Sequence, residues 1–255
     1  MRERVKDKVV IVTGGASNPG LGYASAHMVA GEGAKVVVTD IDESGAEACA
    51  QYIREMGGDA IAVAQDVANE NDWQQVVDRT IEAYGQLDVL VNNAGIAILK
   101  PFDQLTVDDF NRQVAANLTS VFLGCQAAMR QMRNQGEGGA IINLSSVAAL
   151  VGFARCGAYA AAKGGVRAMS RSVAIDGASD NIRCNTIFPG VIWTNMQAAA
   201  VGSDGIDSRI PPSRVPLARA GKPDDIAAAV VYLASDEANY VTGAEFTIDA
   251  GMTAQ

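Results

Sequence analysis

The chain has 255 residues, 49% of them apolar, with 26 glycines and a formal net charge of −9. That acidity argues against a general nucleic-acid binder, which carries a basic footprint. Four scattered cysteines (Cys49, Cys125, Cys156, Cys184), no CxxC and a single histidine, His27, predict neither a metal site nor a disulfide framework. No apolar stretch approaches the roughly eighteen residues of a membrane span, and none near the N-terminus suits a signal peptide, so a cytoplasmic protein without membrane partners is expected.

From residue 8 onward, short β-branched runs alternate with longer amphipathic segments. Strands are predicted at Lys8–Thr13, Lys35–Asp40, Ala60–Gln65, Leu87–Asn92, Ala140–Leu144 and Ile182–Phe188. Most are continuous apolar runs, the pattern of parallel strands buried on both faces. Helices are predicted over Leu21–Glu32, Ser44–Met56 and Asn71–Tyr84. Thr106-Val-Asp-Asp109 reads as the capped start of one long helix reaching Arg133. The alternation predicts an α/β fold: a doubly wound Rossmann-type domain, one parallel sheet with helices on both faces. No linker rich in Pro, Gly or Ser divides the chain, so residues 1–255 are expected to form one domain. The stretch 190–216, with Gly202–Pro216 at its end, reads as a substrate flap rather than a boundary.

In an open parallel sheet, ligands bind beyond the carboxyl ends of the strands, and chemistry-bearing residues recur there. After the first strand, Thr13–Gly22 (TGGASNPGLG) is glycine-rich, so its backbone can approach a pyrophosphate favoured by the next helix's N-terminus. The last glycine of GxGxxG is missing, and a plain tight turn fits as well. Asp40 follows the second strand, where an acidic side chain accepts hydrogen bonds from an adenosine ribose. It would repel a 2′-phosphate, and Gly14–Gly22 holds no Arg or Lys to compensate, which favours NAD over NADP. Asp66-Val67, after the third strand, could hold an adenine edge. Asn92-Asn93-Ala94-Gly95, after the fourth, could let a ribose pack close or simply form an Asx turn. Asn117 interrupts the predicted long helix with a poor helix former, suggesting a bend that exposes backbone and amide. Ser145-Ser146 follows the fifth strand and Pro189–Thr194 the sixth.

Tyr159 and Lys163, separated by three alanines, fall at i and i+4 of a predicted helix and share a face. At roughly 4 Å and an effective dielectric of about 20, the cation would attract a phenolate by about 4 kcal/mol. That is enough to bring a phenol titrating near pH 10 down to about pH 7.

Together these features resemble the short-chain dehydrogenase/reductase family in its shorter form, over essentially the whole chain. The resemblance rests on the Gly-rich loop, NNAG at Asn92–Gly95, Asn117, Ser146, Tyr159-x-x-x-Lys163 and PGVIWT at Pro189–Thr194. It extends to RAGKPDDI at Arg219–Ile226 and to Asp249-Ala-Gly251. It implies a catalytic tetrad. Tyr159 would be the general acid/base, and Ser146 would donate a hydrogen bond to the substrate oxygen. Lys163 would lower the tyrosine pKa and bind the nicotinamide ribose, and Asn117 would hold a water linking Lys163 to solvent. The resemblance also implies cofactor contacts from Gly14, Ser17, Asn18, Gly20 and Leu21, from Asp40 and Ile41, and from Asp66 and Val67. Further contacts would come from Asn93, Ala94 and Gly95, from Tyr159 and Lys163, and from Pro189, Ile192 and Thr194, the last two at the carboxamide. The loop departs from the family's TGxxxGxG, since five residues separate Gly14 from Gly20. Asn18-Pro19 is thus an insertion, and Ser17 or Asn18 is the expected side-chain contact. A homotetramer is implied as well.

A substrate wall is expected from Ser146, Val147, Phe153, Tyr159, Gly190 and Met196, with Leu150, Val151 and Trp193 nearby; Arg209 and Arg214 lie further along. Few fixed charges suit a hydrophobic secondary alcohol or ketone, whether alicyclic, aromatic or steroid-like. Alternatives are a 3-oxoacyl-thioester or sugar reductase of the same family and, more remotely, a non-catalytic nucleotide-binding scaffold, which need not keep all four tetrad residues.

Overall fold

Strand by strand, the apolar runs form the ladder that their composition predicts. The computed structural model describes residues 3–201 and 215–255. Its strands are β1 (Val9–Thr13), β2 (Lys35–Asp40), β3 (Asp59–Ala64), β4 (Val89–Asn92), β5 (Gly139–Leu144), β6 (Ile182–Pro189) and β7 (Glu245–Ile248). All pair in parallel, in the order β3-β2-β1-β4-β5-β6-β7.

Both faces of the central strands are apolar because both are covered. Val10, Val12, Val36, Val38, Val89 and Val91 pack into one layer, beneath α1 (Leu21–Gly31), α2 (Glu43–Glu55) and α8 (Pro223–Ala234). Ile11, Val37 and Leu90 point the other way, beneath α3 (Glu70–Tyr84), α5 (Ser120–Gln135) and α6 (Gly157–Gly177). Each such side chain contributes about 1.5–3 kcal/mol on burial, so the register cannot slip by one residue without exposing a whole row.

Three of the helices begin where side chains satisfy free N–H groups of the first turn. Asp42 accepts from Gly45 N, and Asn69 from Asn71 N. Thr106 and Asp109 form a reciprocal capping box at the start of α4 (Val107–Val114). The long helix expected to follow is not continuous. Residues Ala115–Thr119 form a π turn between α4 and α5. Its cause lies in the side chains facing the segment after β4. Asn117 Oδ1 accepts from Ile96 N and Nδ2 donates to Ile96 O, both at 2.9 Å. Gln113, fully buried, donates to the same carbonyl at 2.8 Å and accepts from Ile98 N at 2.7 Å. Widening the helix by one residue per turn brings both amides onto that one strand of chain.

Because β1 lies between β2 and β4, the chain leaves it in opposite directions on its two sides. Such a switch point opens a crevice at the carboxyl ends of the strands. Among the described residues, no helix is long and apolar enough to cross a membrane.

Candidate active site

The crevice between β1 and β4 opens into a cavity of about 580 Å³. Its floor is pinned by Thr13, whose Oγ1 accepts from Asn93 N and Ala94 N, both at 3.0 Å. Asn93 Nδ2 returns the contact, donating to Thr13 O at 2.8 Å and Gly14 O at 3.1 Å. The Asn93 amide nitrogen therefore locks two turns together. Gly14 has φ +72, and a Cβ there would lie 2.8 Å from Ala94 Cα. Only glycine allows the two strand ends to meet so closely.

Of the residues expected to touch a cofactor, the cavity wall contains Gly14, Ser17, Gly20, Leu21, Asp40 and Ile41 at one end. Asp66, Val67, Asn93, Ala94 and Gly95 continue it, and Tyr159, Lys163 and Thr194 stand at the other end with Asn117 and Met196. The Asp40 carboxylate accepts from Ala16 N at 3.0 Å and from Asp42 N at 3.1 Å, so it both faces the cavity and fixes the glycine-rich loop. Gln65, Ile96, Ala97, Ala116 and Leu144 of the wall escaped sequence reasoning, and Gln65 is the polar one among them. Gln65 accepts from Thr39 Oγ1 at 2.6 Å, while its buried Nε2 has no partner. It closes the predicted third strand, so its strand-end position was the available signal. A glycine cradle, a carboxylate and an unmatched buried donor are the groups that a dinucleotide with a ribose diol and a base edge would use.

Elsewhere in the wall, Lys163 is buried and its Nζ donates to Leu144 O at 2.7 Å. Ser145 Oγ holds the same helical turn by donating to Lys163 O at 2.9 Å. Burial lowers the Lys163 ammonium from its ordinary 10.5 to about 8. Tyr159 is half-buried, with Lys163 Nζ 5.9 Å from its ring centroid. Burial pushes the Tyr159 phenol upward, the hydrogen bond with the Ser146 hydroxyl pulls it down, and the Cys156 thiol adds to the upward push. The expected depression by Lys163 is thus corrected. The cation is turned onto a backbone carbonyl, and its own charge is disfavoured by the same burial.

Other expectations are also redirected. Asn18, Pro189 and Ile192 are not in the cavity wall. Ile192 is buried in the layer beneath α8 and bridges to Gly221. Gly190 packs so closely on Asp249 that a Cβ would lie 2.6 Å from Asp249 Cα. Ser146 is also absent from the cavity wall; it hydrogen-bonds with Tyr159, and its Oγ accepts from Ala148 N at 3.1 Å. Val147, expected to face substrate, is buried in the short 3-10 turn Val147–Ala149, and Phe153 is half-buried outside the wall. Arg209, Arg214 and the flap between Val201 and Val215 lie outside the described residues. The Asn117 amide is engaged with Ile96 through both its oxygen and its nitrogen, so the side chain is held toward that segment.

This arrangement has close counterparts. Residues 14–253 match the family model described as enoyl-(acyl carrier protein) reductase. The chain is 42% identical over 258 residues to the NADP-dependent (R)-specific alcohol dehydrogenase of Lentilactobacillus kefiri, spanning 100% of each. The chain belongs to the short-chain dehydrogenase/reductase family. It is 41% identical over 252 residues to the cyclopentanol dehydrogenase of Comamonas testosteroni, spanning 98% of this chain and 99% of that one. A solved structure from Agrobacterium tumefaciens, provisionally assigned as a gluconate dehydrogenase, superposes with a TM-score of 0.91 at 33% identity, covering 99% of this chain and 98% of its own. As a family member, the protein is a nicotinamide-dependent oxidoreductase acting on alcohol CH–OH groups.

Proposed function

We propose that the protein is an NAD-dependent dehydrogenase interconverting a hydrophobic secondary alcohol, alicyclic, aromatic or steroid-like, with its ketone. The observation that carries this reading is one continuous wall with Asp40 at one end and Tyr159 with Lys163 at the other. Asp40 would accept from the adenosine ribose, the glycine-rich loop would cradle the pyrophosphate, and Lys163 and Thr194 would hold the nicotinamide end. A bound nicotinamide supplies or accepts the hydride.

The chain's own groups handle the proton. In ketone reduction Tyr159 Oη donates to the substrate oxygen, and in alcohol oxidation it takes that proton back. Its raised pKa keeps the phenol protonated at neutral pH, so oxidation should quicken as pH rises. Ser146, hydrogen-bonded to the phenol, would stabilise charge developing on the substrate oxygen. The side chains left to meet a substrate are apolar: Ile96, Ala97 and Met196 line the cavity, and half-exposed Trp193 adjoins it in sequence. Such a wall favours hydrocarbon over sugar hydroxyls, in keeping with the cyclopentanol dehydrogenase relative.

Tyr159→Phe tests the assignment. Turnover should fall by at least about 100-fold while NADH titration still shows binding, and retained turnover would remove the proposed acid/base. A parallel screen should rank cyclopentanol, aromatic alcohols and hydroxysteroids above gluconate and 3-oxoacyl thioesters. The reverse ranking would overturn the substrate class.

A further inference from the structure

The two residues inserted into the glycine-rich loop do not line the cavity, yet they are firmly held. Asn195, the first residue of α7 (Asn195–Val201), makes three hydrogen bonds into that loop. Its backbone N–H donates to Pro19 O at 3.0 Å. Its Nδ2 donates to Asn18 O at 3.0 Å and to Ser17 Oγ at 3.2 Å. Two of the three acceptors are therefore the carbonyls of Asn18 and Pro19. A loop of TGxxxGxG length has no residues in these positions. The flanking residues on each side of the clasp face the site: Ser17 and Gly20 on the loop, Thr194 and Met196 on the opposite segment. Thr194 is further fixed because its carbonyl accepts from Ala198 N at 3.0 Å.

We infer that Asn195 is a positioning residue, and that the Asn18-Pro19 insertion exists to anchor it. The clasp joins the wall that would cradle the pyrophosphate to the wall that would meet nicotinamide and substrate. Cofactor and alcohol therefore meet one preformed surface rather than two that must be brought together on binding. The inference rests on reading the cavity as the cofactor and alcohol site. It also gives the insertion a use other than the direct phosphate contact expected from Asn18.

Asn195→Ala removes the two side-chain bonds and leaves the backbone bond to Pro19. Loss of two partly solvated bonds should weaken binding about fivefold to tenfold. The probes are NADH, followed by energy transfer from the tryptophans (Trp193 adjoins Thr194), and cyclopentanol as substrate. We expect the NADH Kd and the cyclopentanol KM both to rise by that factor. The turnover number at saturation and the melting temperature should change little, a split that general loosening of the fold would not produce. Asn195→Ser, which keeps a donor, should recover part of both constants. Deleting Asn18-Pro19 should give losses similar to Asn195→Ala, and the combined variant should be no worse than the deletion alone. Unchanged constants in Asn195→Ala, or losses that multiply in the combined variant, would overturn the inference while leaving the dehydrogenase reading intact. A wild-type protein that fails to bind NADH would instead sink that reading, and the inference with it.

Discussion

Asp40 offers the sharpest quantitative test of the site, because one carboxylate is asked to choose between two cofactors. Its oxygens accept from Ala16 N and Asp42 N, so its position is fixed before any ribose arrives. A 2′-phosphate on that ribose would bring about −1.5 to −2 charge beside it. At roughly 4 Å and an effective dielectric of about 20, each unit of charge costs about 4 kcal/mol. The rim is open, since neighbouring Ile41 is 77% exposed, and solvent screening should cut the net penalty to about 2–4 kcal/mol. That corresponds to about 30- to 700-fold preference for NAD. Asp40→Asn keeps the shape and removes the charge, so the kcat/KM ratio of NAD to NADP should fall by most of that factor. Asp40→Ala should also lower NAD affinity, since Ala16 N loses its acceptor and the loop loosens. The assay is initial rate with each cofactor at saturating alcohol, repeated at two ionic strengths, and the wild-type preference should shrink as salt rises. An Asp40→Asn ratio equal to wild type, or a wild-type preference for NADP like that named for the Lentilactobacillus relative, would refute the assignment.

Two further outcomes follow from burial and packing. Lys163 titrates near 8 in the folded chain against an ordinary 10.5; between those values the unfolded chain holds a proton that the folded chain has lost, so stability from this group rises with pH by up to about 3 kcal/mol. Melting of wild type and Lys163→Met from pH 7.5 to 10 should show the difference moving in the wild type's favour, and a constant difference would contradict the buried ammonium. A Cβ at Gly22 would meet Gly14 O at 2.2 Å and Asn93 Nδ2 at 2.5 Å. Gly22→Ala should therefore cost about 1–3 kcal/mol and impair NADH binding. Gly31→Ala, at the end of the same helix with nothing near its added Cβ, should be neutral or stabilising; equal melting points for the two variants would show that the turn can yield.

The sheet was legible because its strands are apolar on both faces, a pattern that parallel crossover units require and that solvent-facing sheets do not show. The strand-end residues Gly14, Asp40, Asp66 and Asn93 were legible for the same topological reason. What the sequence concealed was how polar side chains are engaged. Asparagine inside a helix signalled a bend at Asn117, but nothing local revealed that Ile96, in a distant loop, captures its amide and Gln113's together. Val147 and Ile192 look like pocket residues by position, yet both are buried, because a side chain's direction at a strand end depends on what packs over it. The Asn18-Pro19 insertion was visible as a departure in length, while its partner Asn195 could only be found in three dimensions.

These engaged amides share one consequence. Thr13 and Asn93 lock β1 to β4, Gln113 and Asn117 lock the next segment to the π turn, and Asn195 locks the opposite wall to the glycine-rich loop. Each is a polar side chain at the site that serves the frame, so its removal should be felt through several ligand contacts at once. Few side chains then remain free to distinguish ligands: Asp40 and Gln65 in one part of the wall, and Met196 with its apolar neighbours in another. On the proposed reading, reaction chemistry would be set by Ser146, just after β5, and by Tyr159 and Lys163 on α6. On the same reading, substrate choice would rest on apolar groups near α7, where exchanging one methylene should alter selectivity by about 1–3 kcal/mol without disturbing the proton-transfer residues.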